Sequence, residues 1–98
     1  MMRYFKITDE GLHHYEWGGY PTYWLEVNEV GNFEREIHEY PNGNILSYDK
    51  THRQDEYGVR TTDDIDDYGF WIPYEITKEE FEHEWDAISP LNRKTQST

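Results

Sequence analysis

Aromatic and β-branched residues run from Arg3 to Ile7, which predicts a first strand. Asp9, Gly11, Gly18 and Gly19 then break the pattern, so residues 8–19, with the His13-His14-Tyr15 stretch, predict a loop. Tyr20 to Val30 predicts a second strand, with Pro21 tolerated near its start. Gly31-Asn32 turns the chain into a third strand, Phe33 to Tyr40. Pro41-Asn42-Gly43-Asn44 is the strongest turn signal, because Asn-Gly readily takes positive φ, and Ile45 to Asp49 closes the meander.

Parity bears on the register of the second and third strands. A two-residue loop at 31–32 places Leu25 and Val27 on the face of Glu36 and His38. A three-residue loop at 30–32 sets Leu25 opposite Ile37 and sends Glu34, Glu36 and His38 to the other face. A slip of one residue exchanges core and solvent faces, so the second register is expected, with an acidic outer face on the third strand. Arg35 then points inward with Ile37 and needs a carboxylate, Glu75 or Glu39.

Residues 50–69 show little periodicity and predict an extended loop with a short strand at Tyr57 to Thr61. Phe70 to Ile76 is apolar but carries Pro73, which suits an edge or bulged strand. Thr77-Lys78-Glu79-Glu80 is a capping box, and Phe81, Trp85 and Ile88 follow as one helical stripe. Ser89-Pro90 ends the helix, and the polar residues from Leu91 onward are expected to fray. The expected fold is α+β: an antiparallel sheet of four to six strands, a meander at its centre, with one C-terminal α-helix packed on a face. Residues 1–92 form the single domain and 93–98 a polar tail.

Composition changes this picture in two ways. Ninety-eight residues carry 21 acidic against 9 basic side chains, a formal charge of −12. Mean hydropathy of −1.11 with that charge is the signature of disorder. Seventeen aromatic residues against fourteen Ile, Leu and Val argue instead for a folded domain with an aromatic core. The charge disfavours nucleic acid and anionic membrane as partners and favours a basic protein. No run approaches the ~20 apolar residues of a transmembrane helix, and no signal-peptide pattern opens the chain. The absence of cysteine suits a cytoplasmic protein.

Candidate chemistry is sparse. Asp63, Asp64, Asp66 and Asp67 lack the spacing of a calcium loop. His13-His14 with Glu16, and Glu80 with His83, lack the companion ligands of a histidine metal site. No phosphate loop, serine nucleophile motif or activated cysteine is present, so no cofactor and no enzymatic activity are expected. Trp24, Trp71, Trp85 and Phe81 read as core. The carboxylates at 63–67 beside Tyr57, Tyr68, Phe70 and Trp71 instead combine steering charge with aromatic anchors. The expected partner surface is Asp55, Glu56, Tyr57, Asp63, Asp64, Asp66, Asp67, Tyr68 and Trp71, joined by Glu34 and Glu36 on the third strand.

Three segments carry a family resemblance: Tyr4-Phe5-Lys6-Ile7, then Arg35-Glu36-Ile37 with Tyr40-Pro41-Asn42-Gly43, then Glu75-Ile76-Thr77-Lys78-Glu79-Glu80-Phe81 with Trp85. Together they resemble a small family of uncharacterised bacterial domains. Its members look like immunity proteins encoded beside polymorphic or contact-dependent growth inhibition toxins. The resemblance implies an immunity protein that neutralises a cognate toxin, and it brings no catalytic residues. The negative charge points to a basic toxin, above all a nuclease, and the protein is expected as a monomer. Two other functions compete: a phage-type inhibitor that mimics nucleic acid toward a host DNA- or RNA-binding protein, and a small metal-dependent enzyme.

Overall fold

Burial along Arg3–Thr8, strand β1, shows how this chain builds a core from few aliphatics. Tyr4, Phe5 and Ile7 are all buried, so both faces of the strand are covered. A computed structural model of the protein describes residues 1–8, 14–61 and 64–93. Expectations that rest on His13, Asp63 or residues 94–98 lie outside the described residues. Strands β2 (Thr22–Val27), β3 (Phe33–Glu39) and β4 (Ile45–Tyr48) complete the antiparallel meander. A two-residue strand β7 (Glu75–Ile76) pairs with the free edge of β1, giving a five-stranded sheet of order β4-β3-β2-β1-β7. Strands β5 (Gln54–Asp55) and β6 (Gly58–Val59) form a separate small ribbon, and helix α1 spans Lys78–Ala87. The protein is therefore an α+β antiparallel-sheet fold.

One face of the sheet carries Phe5, Ile7, Leu25, Val27 and Phe33, roofed by Ile65, Tyr68 and Trp71 from the long segment that follows β6. Beside it, Tyr40, Leu46 and Tyr48 pack with Trp17, Tyr57 and Leu91. The opposite face receives α1. A sheet covered on both sides loses strict alternation, and β3 accordingly buries Phe33, Glu34, Glu36, Ile37 and His38.

The register of β2 on β3 differs from the expected one. Leu25 lies opposite Glu36 and Trp24 opposite Ile37, so Glu36 and His38 share the inner face with Leu25. The physical reason is the connection. Asn28 and Asn32 close a longer turn in which the Asn28 N–H donates to the Asn32 carbonyl, and the Asn28 side chain accepts the Val30 and Asn32 N–H groups. A register shift at Glu26/Val27 absorbs the remaining offset. Inside this turn Gly31 is buried with φ +92°, and its carbonyl accepts the Ile65 N–H at 2.8 Å. A Cβ there would meet the Ile65 carbonyl oxygen at 2.3 Å, so the roof can close on the sheet only over glycine.

On the helix side, Thr77 and Glu80 form the expected capping box, and Phe81 is fully buried against Tyr4, with ring centroids 5.2 Å apart. Trp85 and Ile88 are only half-buried, as are Trp24 and Trp71, so the tryptophans line the margins of the core rather than its centre. Arg35 does point to this face with Ile37. Its partners are Glu26, bound bidentately at 2.8 Å, and Glu82 of the helix, with the guanidinium about 5 Å from the rings of Phe81 and Trp85. Glu75 is instead paired with Arg3, and Glu39 accepts from the Trp24 indole.

Two further expectations change. Residues 70–76 are a turn and a 3-10 helix, Ile72–Tyr74, followed by the short β7, because Pro73 sets a helical φ and has no N–H for a ladder. Leu91–Arg93 is not frayed: it is a 3-10 turn on β4, where Asn92 bonds both the N–H and the carbonyl of Ser47 and Arg93 pairs with Asp49.

Candidate docking surface

The side chains expected to meet a partner divide sharply by burial. Glu36 is fully buried; its carboxylate accepts from the Thr61 N–H at 2.8 Å and lies 2.9 Å from His38 Nε2. Glu34 is also buried, bonded to the Asn28 amide and 3.0 Å from Lys50 Nζ. Those Asn28 and Lys50 bonds hold the Glu34 carboxyl below its ordinary range, against burial, which is the largest single influence and pushes it upward. The acidic outer face of β3 is therefore absent, a direct consequence of the register.

Asp55 is a structural hub. It accepts from Tyr48 Oη, Asn92 Nδ2 and the N–H groups of Tyr57 and Gly58, and it lies 2.7 Å from His52 Nε2. Burial alone would raise its pKa, but these bonds outweigh burial and hold it at about 2. Burial and the same Asp55 bond push the Tyr48 phenol up. Tyr57 is half-buried against Trp17. Glu56, Asp64, Asp66 and Asp67 are exposed. Asp63 lies outside the described residues.

Tyr68 and Trp71 turn inward. Tyr68 stacks on Phe5 and lies under the Arg3 guanidinium, 4.3 Å away, while Trp71 meets Phe5 edge-on at 5.5 Å. They act as straps. Between and beyond them Phe70, Ile72 and Tyr74 face solvent, with relative exposures of 59%, 60% and 39%. The Phe70 and Tyr74 rings touch at 5.7 Å, and Pro73 is exposed between Ile72 and Tyr74. Asp66, Asp67 and Glu75 flank this ridge in the chain. The turn is held by the Trp71 and Ile72 N–H groups on the Tyr68 carbonyl and the Tyr74 N–H on that of Trp71.

Ile72 and Tyr74 were missed as surface anchors because the apolar run from Phe70 to Ile76 reads as a strand of the sheet, whereas the chain leaves the ladder in a turn from which Trp71 packs on the core and Ile72 and Tyr74 do not. The available signal was Pro73, which argues against a ladder strand. Among the described residues no group of three or more His, Asp or Glu side chains is placed to hold a metal ion, and no helix is long and apolar enough to cross a membrane. In comparisons with known proteins, no family model, curated protein or solved structure matches the chain.

Proposed function

We propose that the protein is a non-enzymatic inhibitor of the immunity type, which binds a basic protein toxin, a nuclease being the best fit. The observation that carries this reading is the ridge of Phe70, Ile72 and Tyr74, strapped to the core by its neighbours and flanked by carboxylates. An exposed apolar ridge rimmed by charge is what a protein interface requires. The −12 charge selects a basic partner and speeds the encounter. A nuclease active site is basic because it binds phosphate, so carboxylates can cover it in place of substrate. Rigid aromatics then slow dissociation.

The test is affinity capture of the product of the neighbouring gene by the tagged chain, followed by an activity assay of the captured protein. A one-to-one complex that suppresses nuclease activity is the expected result. Capture of nothing, or loss of the complex at physiological salt, overturns the reading. Light scattering showing that the ridge holds two copies of the chain together would overturn it as well.

A further inference from the structure

Among the described residues, half of the Lys and Arg side chains sit in ion pairs with carboxylates. Arg3, Arg35 and Arg93 are each ion-paired. Arg53 and Arg60 have no carboxylate in ion-pair contact among the described residues, and both line one cleft of about 360 Å³ with Lys50, Asn32, Glu34 and Thr61. The ribbon places them: Arg53 precedes β5, Arg60 follows β6, and the Arg60 N–H donates to the Arg53 carbonyl at 2.7 Å.

Each guanidinium is oriented by a backbone carbonyl. Arg53 Nε donates to Lys50 at 3.0 Å and Arg60 Nη1 to Glu34 at 3.3 Å. Those bonds leave further N–H donors on both arginines. Arg60 Nε is buried without a hydrogen-bond partner, a costly state for a charged donor. Lys50 lies 3.0 Å from Glu34, the one carboxylate among the described residues that line the cleft. Three cations against one carboxylate leave two positive charges.

We propose that this cleft binds a small dianionic oxyanion, a single phosphate group either free or as a monoester. Two unneutralised charges match a phosphate dianion, and forked guanidinium donors match its tetrahedral oxygens. A nucleic acid strand is disfavoured because it would lay further phosphates against the acidic surface around the cleft. A compact ion is drawn in at contact, because charges beyond about 8 Å are largely screened at physiological ionic strength. This site is separate from the Phe70 ridge and stands whether or not the inhibitor reading holds.

The experiment is an NMR titration of the ¹⁵N-labelled protein at pH 7.5 with inorganic phosphate, glycerol 3-phosphate and succinate in turn, ionic strength being held constant with sodium chloride. Saturable shifts in the Arg53, Arg60 and Thr61 amides and in the Arg60 Nε–H are expected with either phosphate and not with succinate. The ratio of the two phosphate affinities tells ester from free ion. Arg53→Gln, at an exposed position, leaves the fold intact and weakens binding by about tenfold, the loss of one charge-assisted hydrogen bond. Arg60→Gln abolishes saturation. Shifts that stay linear, that succinate reproduces, or that Arg53→Gln leaves unchanged overturn the proposal.

Discussion

Replacing Phe81 by Ala tests the packing of the helix on the sheet. Phe81 is the one fully buried side chain of α1, and it meets Tyr4, the stacked ring of Trp85 and the Arg35 guanidinium. Truncating a fully buried Phe costs about 3–5 kcal/mol from lost transfer energy and the cavity left behind. Loss of the guanidinium–ring contact adds roughly 0.5–1 kcal/mol. A domain of this length has about 5–15 kcal/mol in total, so the loss removes from about a quarter of the stability to all of it. Trp85 is half-buried, and its truncation should cost roughly half the full-burial figure, about 2 kcal/mol. Urea unfolding followed by far-ultraviolet circular dichroism measures both. The expected order is Phe81→Ala well below Trp85→Ala, with Phe81→Ala lowering Tm by at least ~12 °C. Equal losses, or a larger one for Trp85→Ala, would refute the assignment of Phe81 as the helix's anchor.

Gly31→Ala should cost at least ~3 kcal/mol, since it combines a positive φ with a Cβ 2.3 Å from the Ile65 carbonyl oxygen. Gly19→Ala, at φ +111° with open space around it, should cost about 1–2 kcal/mol by denaturant titration, and equal costs would mean the roof does not press on Gly31. Asp55 has a pKa lowered from 3.8 to about 2, so its stabilisation is present above pH 4 and lost as pH falls through 2. The stability gap between parent and Asp55→Asn should therefore be about 2 kcal/mol at pH 7 and close below pH 2.5; a gap constant over that range would contradict the hub. At the ridge, Asp66→Asn with Asp67→Asn should mainly lower the association rate with the proposed basic partner. Phe70→Ala with Ile72→Ala should mainly raise the dissociation rate at unchanged Tm, whereas Tyr68→Ala should destabilise the fold. Stopped-flow and surface-plasmon measurements separate the two rates, and a ridge variant that dissociates like the parent would move the interface elsewhere.

Local chemistry was legible in the residues themselves. The four meander strands, the Asn42-Gly43 turn with Gly43 at φ +96° and the Thr77–Glu80 capping box follow from propensities and hydrogen-bonding groups only a few positions apart. The need of Arg35 for a carboxylate was also readable, but its direction rested on a register that the structure replaces: Arg35 lies under the helix, on the face opposite Leu25. Which carboxylate it meets was not readable: Glu26 and Glu82 reach it from a neighbouring strand and from a helix 47 positions away.

Tertiary structure decided the rest. The β2–β3 register turned on the Asn28–Asn32 turn and a register shift, and the inner-face cost of Glu36 is offset by His38 and by the Thr61 N–H, 25 positions downstream. A parity argument treats every carboxylate as solvent-seeking and cannot see such a partner. The same holds for the aromatics of 68–74, where composition marks an adhesive segment without saying which rings bind inward. Phe5 and Phe33 draw in Tyr68 and Trp71, and the 3-10 turn at Pro73 then leaves Phe70, Ile72 and Tyr74 outside. Sequence thus determined what lies within a few residues' reach. Contacts between segments tens of residues apart assigned each charged or aromatic side chain to core or surface, because burial energy depends on what meets the side chain and not on its type alone.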